Sequence, residues 1–462
     1  MNAYPSHQPF PRSRAVSIEA SSSPASPGLA GLRTYQLPPY HEAERTMRSY
    51  LAQYERMSSG AALGIRGAFG SGKTHLIYFL METAQAFHGD SAPRDNPVQV
   101  YTKAKSGDFF EIYRELVNGL GGQQLAQGHA KVLSAAGRRL AKGNELFEAN
   151  VPNMEMPTAF EQLRDKPEMV LSLIRDALLS ESAIVETAAA ELRGPDSRFT
   201  DFFSAFTFLN DQKLRKTAFS WFQGATVDPD SLKRLGVSGP VTAADASRGL
   251  QFISMMYAFA RTPLIIYIDQ IERLILDDVD RREANRGYLH SLVEALVTNR
   301  NMLVVAGVSQ AWDQLKPDFL QRLTLPPLIM PSLDVKQAQA IIAVWLAEDP
   351  ETYDVSQIFP FTRDGIGEIV KLSRGNIRSI ISLCYNCFEL ARPEKAKVTR
   401  SIVRKAAESL EKLYSRATVL EEIETYLRAA KCPYEKRVTL VQDSQDIVVP
   451  DSSAPRAVIN VM

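Results

Sequence analysis

Cysteine, net charge and long apolar runs are all scarce in this 462-residue sequence, and each shortage excludes a class of protein. Only Cys384, Cys387 and Cys432 are present, an odd and sparse set that cannot build a disulfide framework and fits a reducing compartment. Cys384 and Cys387 have C-x-x-C spacing, but they lie inside the helical run Ile380 to Leu390 and no second pair completes a zinc site; they read as buried thiols. Lys and Arg together (53) balance Asp and Glu (53), so no global field draws nucleic acid and any such contact needs a local patch. No apolar run reaches spanning length and no charged-then-apolar leader follows Met1, which predicts a soluble, cytoplasmic protein with no membrane contact. The length predicts two or three domains.

What the sequence does have is Gly67-Ala68-Phe69-Gly70-Ser71-Gly72-Lys73-Thr74, which fits G-x-x-x-x-G-K-[ST] at every fixed position. It follows the apolar run Ala62 to Ile65 and opens into the helical pattern His75 to Leu80, giving strand, loop and helix in the required order. Glycines let successive backbone N–H groups turn inward on a triphosphate, the helix aims its positive end at the same anion, Lys73 reaches the β- and γ-phosphates, and Thr74 ligates Mg²⁺. The cofactor-binding set is Gly67, Gly70, Ser71, Gly72, Lys73, Thr74 and His75, with ATP and Mg²⁺ as cofactors. Tyr40, in Leu37-Pro38-Pro39-Tyr40, is placed to cover an adenine face. A second apolar run, Leu264 to Ile268, ends in Asp269 and reads as a buried parallel strand that delivers a carboxylate to the sheet edge, where it meets the metal beside Thr74. Gln270 can orient a water but cannot take its proton, so Glu272 is the nearest candidate base. A third buried strand, Met302 to Ser309, ends in Gln310, whose polar tip could reach the γ-phosphate or the attacking water.

The remaining chain divides by composition. Residues 1–33, rich in Ser, Pro and Ala, read as a disordered arm. Residues 34–121 and 251–333 carry the two parts of the nucleotide domain, split by a helical insertion at 122–250. In the insertion, Arg138, Arg139 and Lys142, then Lys213, Arg215 and Lys216, recur near Phe219, Trp221 and Phe222, an interleaving that suits a single strand or a phosphate backbone but is more often a solvated helical face. Residues 334–413 are helical and include Gly375-Asn376-Ile377-Arg378 and a basic helix with Arg400, Arg404 and Lys405. Residues 414–462 read as a helix and three β-like runs too short for a domain of their own.

The P-loop, the acidic strand, the polar-tipped strand and the helical segment bearing Arg378, in that order, resemble the AAA+ ATPases, and among them the origin-recognition initiators. That likeness implies an α/β fold with a P-loop parallel sheet flanked by helices, a large helical insertion and a C-terminal helical lid. It implies Gln310 as sensor 1, Arg322 as an arginine finger facing a neighbouring subunit or partner protein, and Arg378 as sensor 2. Two departures qualify it. Asp269-Gln270-Ile271-Glu272 is similar to the STAND-type signalling ATPases, and the tail is too short for an initiator's winged-helix DNA-binding domain. The run Phe219 to Gly224, followed by Arg234 to Val237, is similar to bacterial phage-exclusion ATPases of the BREX type. The expected function is a slow ATP hydrolase acting as a nucleotide-driven assembly switch, as a homo-oligomer or on a partner protein, in bacterial defence or DNA transactions. The alternative is an ATP-dependent DNA-binding initiator, transposition regulator or helicase loader, touching DNA through the basic insertion or lid.

Overall fold

The computed structural model describes residues 4–5, 7–11, 37–88, 96–142, 166, 169, 181–192, 198–278, 280–315, 317–347, 354–409, 435–439, 444–450 and 455–461. Two compact units emerge: one holds Gln36–Pro331, the other Ser332–Met462 together with Met1–Ser17.

In the first unit, β1 (Ala61–Gly67), β2 (Val98–Lys103), β3 (Leu264–Asp269), β4 (Met302–Val308) and β5 (Leu328–Ile329) form one sheet in the order β2-β3-β4-β1-β5. Every pairing is parallel. Every residue of β3 and six of the seven in β4 are buried, which is why these strands are continuous apolar runs: helices cover both faces of a parallel sheet. The fold class is therefore the expected one. The sequence reading lacked β5, a two-residue strand beside the P-loop strand with Ile329 exposed on the sheet's outer edge.

The insertion shares its core with the sheet. Val100, Ile266, Ile268 and Val305 belong to the same apolar cluster as Phe202, Phe206 and Phe222. Gly249 makes room for it: a methyl there would stand 2.6 Å from the Tyr113 ring. Trp221 and Phe222, read as candidates to stack on a nucleic acid, are buried instead; the Trp221 indole donates to the Gly239 carbonyl (2.8 Å) and its ring meets Phe202 edge-on. Phe219 is half-buried beside Gly122. Of the basic residues, Arg139 pairs with Glu191 and lies over the Phe259 ring, while Lys213, Arg215 and Lys216 are exposed.

The second unit contains helices Val335–Leu346, Arg363–Ser373 and Ile377–Ala391 and a further helical segment at 400–409. Cys384 and Cys387 are buried in the third helix with thiol pKa values pushed up by desolvation, Cys387 to about 12, and no metal-binding cluster occurs among the described residues. Arg400 and Arg404 of the basic helix both pair with Glu368 (3.4 and 2.8 Å). Beyond it, β6 (Glu435–Thr439), β7 (Ser444–Pro450) and β8 (Pro455–Val461) pair with one another as an antiparallel sheet. Part of the arm expected to lack order is packed here: Phe10 is 3% exposed, against the rings of Trp345, Phe361 and Phe388. Large apolar anchors at Tyr4 and Phe10 outweigh the surrounding Ser and Pro; the rest of the expected arm, from residue 12 on, lies outside the described residues. No described helix is long and apolar enough to cross a membrane.

Burial makes one pH dependence explicit. His129 is buried against Phe206 with Nδ1 2.8 Å from the Asn210 amide, and desolvation lowers its pKa from 6.5 to about 4. The neutral ring is the folded form, so its stabilisation is full above pH 6.5 and is lost as pH falls toward 4. The expected loss at pH 4.5 is about 2–3 kcal/mol from this residue. Urea unfolding followed by tryptophan fluorescence at pH 7 and 4.5 should show His129→Gln losing correspondingly less than wild type; parallel losses would contradict the assignment.

Candidate functional site

The site is built at the carboxyl edge of the sheet. The P-loop leaves β1 at Gly67 and passes through Gly70 (φ 75°) and Gly72 (φ 94°) before helix α2 (Lys73–Gln85) starts. Positive φ at both points suits glycine and turns the loop's backbone back on itself. A methyl on Gly67 would meet Ser71 Oγ at 2.6 Å and Met330 Cβ at 2.7 Å, so the first glycine is required by space.

Asp269 is 1% exposed and held by three groups. Thr74 Oγ1 donates to Oδ2 at 2.6 Å, the Tyr101 hydroxyl donates to the same oxygen at 3.3 Å, and the backbone N–H of Gln270 donates to Oδ1 at 2.8 Å. Because β4 separates β1 from β3, the P-loop strand and the acidic strand are not neighbours. Helix α2 closes that gap by crossing from β1 over β4 to β3, which places Thr74 on the carboxylate. Gln270 has φ 60°, a left-handed conformation that costs a non-glycine residue on the order of 1 kcal/mol. The turn bends the chain immediately after the carboxylate, and the Gln270 amide helps to fix it.

Lys73 is 7% exposed, with Nζ donating to the carbonyls of Gly67 (3.2 Å) and Ala68 (2.9 Å). Ser71 Oγ is buried with no hydrogen-bond partner among the described residues. An ammonium folded onto its own loop, an orphaned hydroxyl and a glycine cradle together fit a polyphosphate. The paired Thr74 hydroxyl and Asp269 carboxylate are oxygen donors suited to Mg²⁺.

Glu272 lies beside this edge. Its Oε2 accepts the Val308 N–H at 3.1 Å, and Val308 is the register partner of Gly67, so the carboxylate sits at the end of β4 next to the start of the P-loop. Gln310 follows two residues later, exposed, in the short helix Ser309–Asp313. Tyr40 takes a different place from the one its position suggested: it is 3% exposed, hydrogen-bonded to His75 Nδ1 (2.8 Å) and edge-on to Phe79. These contacts dock helix α1 (Pro38–Gln53) on α2, and desolvation lowers the His75 pKa to about 4. Arg322, ending helix Pro317–Arg322, pairs with Glu294 (3.2 Å) at the surface, an exposed contact worth little in itself. In the second unit, Arg378 occupies the first turn of a helix capped by Asn376, whose Oδ1 accepts from Ser379 N at 3.2 Å. Gly375 (φ 71°) lets that turn close on Leu333, whose N–H donates to the Gly375 carbonyl at 2.8 Å.

Sequence reasoning missed Tyr101 and its neighbour Tyr78, whose rings lie 5.4 Å apart beside Asp269. The reason is topological: only the β2–β3 register, Tyr101 opposite Tyr267, brings Tyr101 to the carboxylate, and no local motif encodes strand order.

No family model and no curated protein sequence matches this chain. Among solved structures it is similar to the Orc1 protein of Aeropyrum pernix in complex with DNA, at 13% identity, over 88% of this chain and 77% of that one, with a TM-score of 0.39. It is also similar to Cdc6p from Pyrobaculum aerophilum (13%, 90% and 79%, 0.39). A third likeness is to Drosophila ORC bound to DNA (12%, 91% and 85%, 0.37). The assignment of the site stands on this chain's own loop, sheet order and carboxylate.

Thr74→Val removes the shortest hydrogen bond to a buried carboxylate and should lower stability by about 2 kcal/mol, whereas Thr74→Ser should change it by less than ~0.5 kcal/mol. Urea titration without nucleotide measures both; equal effects would show that the hydroxyl does not hold Asp269.

Proposed function

We propose that this chain is an ATP-binding ATPase of the AAA+ type that works as a slow, nucleotide-driven assembly switch. The observation that carries the reading is the Thr74–Asp269 pair at the end of a glycine cradle, two strands away from where the cradle begins. In this reading Gly67, Gly70, Ser71, Gly72 and Lys73 grip the phosphates, His75 and Tyr40 fix the helix that presents them, and Thr74 and Asp269 hold Mg²⁺. A metal held there would neutralise phosphate charge. Glu272 takes the water's proton, Gln310 orients that water, and Gln270, unable to act as a base, keeps turnover slow. Arg378 contributes a guanidinium to the γ-phosphate, a contact that ATP makes and ADP lacks, which gives the differential affinity a switch requires. Arg322 gives up its weak surface pair with Glu294 to serve a neighbouring subunit's site. The setting we infer is bacterial defence or DNA transactions, inside the cytoplasm.

One observation favours the alternative of an ATP-dependent DNA-binding initiator, transposition regulator or helicase loader. Lys213, Arg215 and Lys216 are exposed at and just before the start of the helix Arg215–Phe222, although Arg400 and Arg404 of the second basic helix are already paired with Glu368. Sizing by light scattering with ATP or ADP, each with and without duplex DNA, separates the two. A larger species with ATP alone supports the switch, while one that needs DNA and dissolves steeply with salt supports the alternative. No change in size with either nucleotide would sink both. Phosphate release from the same samples should be slow and faster in Gln270→Glu; rapid turnover unaffected by that change would remove the role given to Gln270.

A further inference from the structure

Two tyrosines stand beside the Asp269 carboxylate, outside the set that grips the phosphates. Tyr101, on β2, donates its hydroxyl to Oδ2 at 3.3 Å, the oxygen that also accepts from Thr74 Oγ1 at 2.6 Å. Tyr78 lies on α2 four residues after Thr74, so the two share a helix face, and its ring is tilted against that of Tyr101 with centroids 5.4 Å apart. Helix α2 therefore reaches the carboxylate twice, directly through Thr74 and indirectly through the ring that backs Tyr101. Burial, with the Asp269 charge second, raises the Tyr101 pKa above its ordinary 10. At neutral pH its hydroxyl is a donor and never a competing anion.

The number of donors is what gives Tyr101 its weight. The torsion that turns an aspartate carboxylate is soft, with broad minima, so the group keeps its plane only where both oxygens are held. Oδ1 is fixed by the Gln270 N–H at 2.8 Å. Oδ2 is shared by Thr74 and Tyr101, and of these Thr74 has a second task, since its oxygen must also turn a lone pair toward a cation. Tyr101 has none. A carboxylate offers about four lone-pair sites, so three donors leave one free for a cation or its water.

We propose that Tyr101 is a positioning residue for the cation site: its hydroxyl fixes the plane of the Asp269 carboxylate so that Asp269 and Thr74 present their oxygens together, and Tyr78 braces its ring from α2. This deepens the ATPase reading and rests on it. Tyr267 supplies the contrast. It faces Tyr101 across the β2–β3 register, is fully buried and donates its hydroxyl to Gln99 Oε1 at 2.7 Å, so its one proton goes to Gln99 and not to Asp269.

The test follows a fluorescent ATP analogue as Mg²⁺ is titrated into wild type, Tyr101→Phe, Tyr78→Leu and Tyr267→Phe, with melting temperatures taken without ligand. Wild type is expected to tighten on the analogue as Mg²⁺ rises. Tyr101→Phe, which keeps the ring, should need about tenfold more Mg²⁺ for the half-maximal response, with a Mg²⁺-free affinity within about twofold of wild type. Tyr78→Leu should move the midpoint the same way by about two- to threefold; an unchanged midpoint there would strike Tyr78 from the role. Tyr267→Phe should lower the melting temperature and leave the midpoint where it is. A Tyr101→Phe midpoint equal to wild type's, or one moved no further than that of Tyr267→Phe, would overturn the proposal and leave the ATPase reading standing. A wild type indifferent to Mg²⁺ would remove that reading and the proposal with it.

Discussion

One hydrogen bond, from the Thr74 hydroxyl to the Asp269 carboxylate, joins the P-loop helix to the acidic strand and organises the candidate site. A carboxylate that is 1% exposed must be paired or it costs several kcal/mol, and all three of its partners come from elements that the sheet edge assembles. Thr74 is there because α2 crosses β4, and Tyr101 because β2 runs beside β3. Gln270 is there because the chain takes a left-handed turn directly after the strand. The same three constraints leave the donor pair at the mouth of the glycine loop. Folding and ligand binding therefore draw on one arrangement: the groups that satisfy the buried charge in the protein are those that would share it with a metal.

The helical insertion stiffens this edge instead of hanging from it. Its aromatic residues continue the core that begins under β2, β3 and β4, and Tyr113, on the helix after β2, donates its hydroxyl to the Phe222 carbonyl at 2.5 Å. A change in the insertion is thus felt through packed side chains at the strand that holds Asp269, since close-packed interiors transmit strain. Its surface is free to differ, which is where Lys213, Arg215 and Lys216 stand.

How much of this could be read from the residues depended on how local each signal is. The P-loop and the two buried strands were legible because motif and hydrophobic run lie within a few neighbouring positions. Asp269 was legible because a charge at the end of a buried apolar run is costly unless donors or a cation meet it there. Tyr101 was not, because its role depends on strand order; Trp221 and Phe222 misled because aromatic residues near lysines look alike on a surface and in a core, and only burial separates them. Tyr40 had the right neighbourhood and a different job, bracing His75. Composition concealed the docking of Tyr4 and Phe10, since two anchors in a Ser- and Pro-rich stretch barely change its average.

The central claim is that Thr74 and Asp269 together present a metal to a triphosphate gripped by the P-loop. The most direct measurement is the affinity for a fluorescent ATP analogue with and without Mg²⁺, in wild type and in Asp269→Asn, which preserves the side chain's size. The account predicts that Mg²⁺ tightens binding at least tenfold in wild type and adds little in Asp269→Asn. An affinity indifferent to Mg²⁺ in wild type, or a gain that survives intact in Asp269→Asn, would contradict it.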